Sequence, residues 1–389
     1  MTRDEWNRDV DQYIKEMNSL VGKEPVRSPD VIGSWPQSHR LVTEEVIKNF
    51  AWNTGCNNPL YVDPEYAGKT RWGGVIAPPG RFVHYIAETG YLPQGRIIEG
   101  MNHLYGGTTY EYHDVIRPGD TFHIQDEFFG VTEKSVKEKP YRLLIMSSRR
   151  DYINQTGKTV VSATGNTVIT CAYPENREPG DSTVYGKVAK PHYSKEELEA
   201  VHRHYEDYFA GKLTRGAKIR YWEDVEEGEK LTPIIKGPLD IVDVISFNCA
   251  TGAMQGGGAT KWDSVKNKKV LVDPDTGEYL SVGCFHYIDS IAQQMGFPNA
   301  LTFAAQHEAY TSEIVTNWMG DDAFVKKLSH QQRRPSFQGD MAYVKGFVKK
   351  KYIKNEEHLI DIEMWTENQN GVKVCPSSAT VRLVSREKT

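Results

Sequence analysis

Near the N-terminus apolar residues recur at helical spacing: Trp6, Val10, Tyr13, Ile14 and Met17 share one face, Thr2 and Glu5 form a capping box, and Gly22 follows. This pattern predicts a docking helix that carries no chemistry. The same period returns in SKEELEAVHRHYEDYFAG, with Ser194 and Glu197 as the cap, Leu198, Val201, Tyr205 and Phe209 as the stripe, and Gly211 as the stop. Elsewhere the period is two. HLIDIEMWTE alternates Ile360, Ile362 and Met364 with Asp361 and Glu363, the pattern of a sheet with one buried face, and YRLLIMSSRRDYI and TVVSATGNTVI read as long strands.

The pattern is written twice. NFAWNTGCNN answers SFNCATGAMQ, pairing Phe50 with Phe247, Thr54 with Thr251 and Gly55 with Gly252, each 197 apart. RPGD (Arg117 to Asp120) answers RPSFQGD (Arg334 to Asp340), with Gly119 and Gly339 220 apart. INQTGKTVV answers ENQNGVKVC, both polar turns between strand-like runs. Three echoes in the same order indicate a duplicated domain. Each copy has one helix followed by antiparallel strands, an α+β plan in which a curved sheet wraps a central helix. The expected boundaries are 1–175 for the N-terminal helix and first domain, 176–219 for a linker with its amphipathic helix, and 220–389 for the second domain, with an insertion at about 256–283.

Composition narrows the function. A chain of 389 residues with 39% hydrophobic content can bury two cores. A net charge of −5 without a basic run gives no footprint for nucleic acid or an anionic membrane. Five dispersed cysteines lack CxxC spacing, which argues against a disulfide framework or a zinc site and for a reducing cytoplasm. His202 and His204, two apart on a helix, do not share a face, so no metal is expected. GGG at Gly256 to Gly258 lacks the context of a phosphate loop. The charged N-terminus has no signal-peptide core, and no stretch has the apolar length of a membrane span.

With the repeat in view, NTGCNNPLYVDPEYA and the GGVIAPPGRFVHYI that follows resemble the MaoC-like, (R)-specific enoyl-CoA hydratases and dehydratases, whose motif has the form ATGDxNPIHxDxxxA. The resemblance implies two hotdog domains in tandem, a double hotdog. It also implies a hydro-lyase that adds water to, or removes it from, a 2-enoyl or 3-hydroxyacyl thioester of CoA or a carrier, without a cofactor. In the first half the family's aspartate falls on Cys56 and its histidine on Tyr61, while Asn58, Pro59, Asp63 and Ala67 match. That half lacks the proton-transfer pair. In the second half the aspartate position falls on Ala253, but past the insertion FHYIDSIA places His286 six residues before Ala292, as Tyr61 stands before Ala67. His286 is the candidate base and Asp289, one residue out of register, its candidate partner.

Hydration needs a base for the water, an acid for the α-carbon, and donors for the enolate oxygen. A histidine held by a carboxylate suits the first two tasks, because imidazole has a pKa of roughly 6.5 and the carboxylate fixes its tautomer and stabilises its charged form. Backbone N–H groups at the start of a central helix suit the third: Gly80 in the first half, or Ala304 to Gln306 in the second. Asn58, Tyr61, Gly80, Gln306, His307 and Arg333 are the expected substrate-facing residues, with Arg333 and Arg334 placed to meet a CoA phosphate. Each also fits a plainer role: His286 between Phe285 and Tyr287 as a core histidine, Cys56 and Tyr61 as packing, Arg333 as a solvated charge. Two other functions stay open, a non-catalytic thioester-binding subunit that needs a partner hydratase, and a hotdog thioesterase. A homodimer of fused pairs is a further expectation.

Overall fold

The computed structural model describes residues 1–23, 41–86, 98–135, 141–173, 189–251 and 270–387. Most of the linker before the second amphipathic helix, positions 256–269 of the expected insertion, and the far end of the first expected central helix lie outside them. In chain order the helices are α1 (Arg3–Asn18), α2 (Glu44–Asn53), the short α3 (Pro59–Val62) and α4 (Pro64–Gly68), α5 (Lys195–Phe209), α6 (Ile241–Thr251), α7 (Asp289–Gln294) and α8 (Ala304–Met319). The strands are β1 (Met101–Tyr112), β2 (Phe122–Lys134), β3 (Tyr141–Asn154), β4 (Thr159–Ala172), β5 (Ile234–Lys236), β6 (Val270–Val272), β7 (Tyr279–Ser281), β8 (Phe324–Gln331), β9 (Ala342–Lys354), β10 (Glu357–Glu367) and β11 (Lys373–Arg382). No described helix is long and apolar enough to cross a membrane.

Nine strands form one antiparallel sheet in the order β2-β3-β4-β1-β8-β11-β10-β9-β5. The duplication is explicit in it. Read from the outer edge, the second half runs β5-β9-β10-β11-β8, and the first runs from a bridge at Leu41, paired with Thr121 beside β2, through β3 and β4 to β1. The two share one topology.

The echoes in sequence are echoes in geometry. The Asp120 carboxylate accepts from Arg117 N–H at 2.8 Å, and the Asp340 carboxylate from Phe337 N–H at 2.8 Å. Gly119 donates to Val42 O and Gly339 to Leu239 O, and both glycines have positive φ (95° and 98°), which a residue with a Cβ adopts only under strain. The later turns match as well. Asn154 Oδ1 accepts from Thr156 and Lys158 N–H, and Asn368 Oδ1 from Asn370 and Val372 N–H.

The halves join at β1 and β8, where Gly107 to Glu111 pair with Gln331 to Lys327. β1 bulges between Tyr105 and Gly107, and a Cβ on Gly107 would lie 2.1 Å from His330 O. The backbones approach so closely there that only glycine fits.

The central helices differ. α8 is the second half's, and its residues Ala305 to Met319 are all buried. Its polar side chains therefore need internal partners, and Ser312 Oγ donates to Pro79 O at 2.6 Å while Thr316 Oγ1 donates to Glu313 O at 3.1 Å. In the first half the helix expected over IAPPGRFVHYIAETG is, within the described residues, a 3-10 turn at Arg81–Tyr85 that follows Pro78, Pro79 and Gly80. α1 covers what the turn does not. Along β3, Leu144, Met146 and Tyr152 share a face; Tyr152 packs with the 3-10 turn, and Leu144 and Met146 pack under Trp6, Val10, Tyr13 and Met17 of α1. Burying four such side chains, at about 2 kcal/mol each, fixes α1 in the first half's groove.

α5 corrects the stripe expected of it. Its capping box forms, but Phe209 is 70% exposed and Tyr208 is the buried residue, one position earlier on the wheel. The reason is polar: the Tyr208 hydroxyl accepts from Asn57 N–H at 2.9 Å, and Asn57 Nδ2 donates to Tyr208 O. His204 Nε2 accepts from Ile235 N–H on edge strand β5, so it is a structural acceptor.

Candidate functional site

His286 closes a 3-10 turn, Val282–His286, that begins where Ser281 Oγ accepts from Gly283 N–H. Its ring lies between Phe285 and Phe303, with centroids 4.0 and 3.9 Å away, and Gln338 Nε2 donates to its carbonyl. His286 Nδ1 sits 3.0 Å from Leu301 O. A carbonyl only accepts, so the proton is on Nδ1 and Nε2 is the basic nitrogen. Burial holds the pKa down to about 4, against a smaller upward pull from the Leu301 carbonyl, and the ring is neutral at pH 7.

His286 lines a cavity of about 420 Å³ that also reaches Ala304 and Ala305 at the start of α8. The N-cap of α8 is Phe303, whose side chain cannot cap; its own N–H donates to Gln306 Oε1 at 2.8 Å. Among the described residues no acceptor meets the N–H groups of Ala304 or Ala305. These donors, at the positive end of a 16-residue helix, border the same space as the imidazole.

Both halves build the cavity. Arg81 and Tyr85 come from the first half's 3-10 turn, Leu143, Ile145 and Val168 from β3 and β4, and Asn248 and Thr251 from α6. Arg333 and Arg334 are exposed at its margin. No carboxylate is among its described lining residues, and no described cluster of His, Cys, Asp or Glu is arranged to hold a metal.

The remaining expected site residues are distributed differently. Asp289 does not partner His286: its Oδ2 pairs with Lys190 Nζ at 2.5 Å and its Oδ1 accepts from Ala300 N–H at 2.8 Å, so α7 uses it to fix the loop before α8. Gly80 N–H donates to the Tyr112 hydroxyl, which removes it as a thioester donor; a Cβ at this position would meet Ser312 of α8 at 3.4 Å. Asn58 Oδ1 caps α3 through Leu60 N–H, and Tyr61 is buried at 1% exposure, its hydroxyl pushed well above its usual pKa by desolvation. Gln306 is spent on capping and on Asp243 O, and His307 is buried with both ring nitrogens unpartnered among the described residues. Of the expected set, the cavity brings together His286 and Arg333, with Ala304 and Ala305 as donors.

The first half's motif has its own cavity of about 230 Å³, lined by Thr54, Gly55, Cys56, Asn57, Gln306 and Tyr310. A buried ion pair occupies its wall. Lys236 Nζ lies 3.0 Å from Glu313 Oε2 and 2.8 Å from Gly55 O, with the Tyr208 ring 4.8 Å away. Burial pushes the Cys56 thiol up to about 12, so no thiolate forms, and it raises the Asp243 carboxyl to about 6.

Sequence reasoning passed over Arg81 and Tyr85. Their signal was positional: they follow Gly80, where a central helix would start, but they line the cavity that His286 of the other half lines. The Leu301 carbonyl had no signal, because any residue supplies one.

Residues 31–163 match the family model described as FAS1-like, dehydratase domain region. Among solved structures the chain is similar to a MaoC-like dehydratase at 15% identity, covering 90% of this chain and 97% of that one, with a TM-score of 0.57. It is also similar to a MaoC domain protein of the dehydratase type from Chloroflexus aurantiacus J-10-fl, at 12% identity, 90% and 95% coverage and a TM-score of 0.52. No curated protein matches the chain. With one topology in both halves, a dehydratase-region match inside the first, and a fold shared along nearly all of its length with MaoC-like dehydratases, the chain has a double-hotdog fold similar to theirs.

Proposed function

We propose that the protein is a hydro-lyase that adds water to a 2-enoyl thioester, or removes it from the 3-hydroxyacyl form, with His286 as the proton-transfer group. The observation that carries this reading is the pairing, in one cavity, of a basic His286 Nε2 with the open N–H groups of Ala304 and Ala305. In the hydration direction Nε2 takes a proton from water as the oxygen bonds to the β-carbon. The electron pair of the C=C bond moves onto the thioester oxygen, which the α8 N-terminus holds as an enolate. The imidazolium then returns its proton to the α-carbon, and the enolate collapses to the 3-hydroxyacyl ester. The carboxylate expected beside the imidazolium is not among the described lining residues. The enolate forms in the same step and supplies the counter-charge, while the Leu301 carbonyl holds Nδ1–H in place.

The apolar wall of Leu143, Ile145 and Val168 suits an acyl chain, and Arg333 with Arg334 at the margin suits the phosphates of CoA. Cytoplasmic location and a homodimer of fused pairs accompany this reading. Hydration of 2-enoyl-CoA esters of several chain lengths is followed by loss of the conjugated thioester absorbance, with His286→Gln as the control. A loss of at least about 100-fold in kcat/KM is expected; undiminished turnover by the variant refutes the assignment. Release of free thiol instead of hydration would identify a thioesterase.

A further inference from the structure

We propose that the substrate's acyl group carries a second, terminal carboxylate, and that Arg81 is the residue that receives it; this rests on the hydro-lyase reading of the same cavity. Arg81 comes from the half without the histidine and borders the cavity that His286 borders. Its Nε donates to the Tyr85 hydroxyl at 2.9 Å, and its guanidinium lies 5.4 and 5.2 Å from the Tyr85 and Tyr105 ring centroids. Those contacts hold the fork, and none of them is an ion pair. The Glu308 carboxylate acts on it electrostatically, but both Glu308 oxygens accept from tyrosines, one from the Tyr105 hydroxyl at 2.5 Å and the other from the Tyr110 hydroxyl. Among the described residues Arg81 makes no ion pair.

A guanidinium held in place by aromatic rings, bordering a cavity and in no direct ion pair among the described residues, has the form of a bidentate site for a carboxylate or phosphate. The position of the three arginines separates the two sources. Arg333 and Arg334 are exposed at the margin, where CoA phosphates would lie, whereas Arg81 is partly buried and backed by Glu308 and two tyrosines. An arginine with that surrounding would meet the acyl end. Leaving it desolvated opposite a methyl group is unfavourable, so the site also rejects simple fatty acyl chains.

The test uses two pairs of esters that differ only at the acyl terminus. Binding of succinyl-CoA and butyryl-CoA to the full chain is measured by calorimetry, and turnover is measured with fumaryl-CoA and crotonyl-CoA. Wild type is expected to bind succinyl-CoA about 100-fold more tightly than butyryl-CoA, and Arg81→Met to bring that ratio to within about 3-fold. Equal affinity of wild type for the two esters overturns the proposal. So does an equal loss for both in Arg81→Met, which would place Arg81 on the CoA phosphates. A wild-type preference that depends on Arg81, without turnover of either unsaturated ester, supports the carboxylate site and removes the hydro-lyase reading. Turnover of crotonyl-CoA as efficient as that of fumaryl-CoA does the reverse. Arg81→Lys, which keeps the charge but not the fork, is expected to retain part of the preference, and the wild-type comparison stands whether or not either variant folds.

Discussion

Lys236 and Glu313 offer the sharpest test of the energetics. Their side chains are 7% and 2% exposed and their charged atoms 3.0 Å apart. At an effective dielectric of about 20 the attraction at that distance is roughly 5 kcal/mol, most of which offsets the desolvation of two charges. Removing one partner leaves the other buried and uncompensated, so Lys236→Met should lower unfolding stability by about 3–5 kcal/mol, as should Glu313→Leu. The double variant should return to within about 1–2 kcal/mol of wild type, because two apolar side chains of similar volume carry no desolvation debt. Urea denaturation of the four proteins closes the cycle. The pH dependence gives a second reading. Burial already raises the Glu313 pKa, and Lys236 is the main group pulling it back. In Lys236→Met the folded pKa rises further above the unfolded value, so between those two values the native state holds a proton the unfolded chain has lost. Stability of the variant therefore falls as pH rises through that window, and its deficit against wild type should be larger at pH 8 than at pH 5. A cost under about 1 kcal/mol for Lys236→Met, or a double variant no better than the worse single one, would refute the description of this pair as desolvated.

Two further predictions concern the site and the seam. Burial holds His286 near a pKa of about 4, and the neutral ring is the active form, so the acid limb of kcat/KM should fall near pH 4; a limb at the ordinary histidine value would mean that the ring is solvated in the working enzyme. Gly107→Ala puts a methyl group against His330 O at a positive φ of 127°, so β1 and β8 must separate locally; a loss of at least about 3 kcal/mol is expected by thermal or urea unfolding, and a neutral outcome would show that the seam yields.

How far the sequence could be read follows from which interactions have a residue-type signal. The repeat was legible because turns are chemically specific: an aspartate behind a glycine at 117–120 and 334–340, and an asparagine ahead of one at 154 and 368, recur because the same N–H groups need the same acceptors. The caps of α1 and α5 were legible for the same reason. The buried face of α5 was not, because Tyr208 and Phe209 are equally apolar in a periodicity count and partners distant in the chain, Asn57 and Lys236 among them, choose between them. Nor could motif spacing reveal that Asp289 is taken up by Lys190 and by Ala300 N–H in the loop before α8, or that a backbone carbonyl holds His286. Arg81 was hidden by its place in the half that lacks the histidine.

The unbroken ladder from β1 to β8 has a consequence for how such a site can evolve. Two separate hotdog chains meeting at that seam would be related by an exact twofold axis, so every substitution would appear at both sites at once, and a plug like Lys236–Glu313 would close both. Joining them on one chain replaces a second-order encounter with an intramolecular one, at an effective concentration on the order of millimolar, and releases the halves from that symmetry. One copy can then lose its proton chemistry and become binding surface for the other, so the two halves are better regarded as unequal subunits that happen to share a backbone.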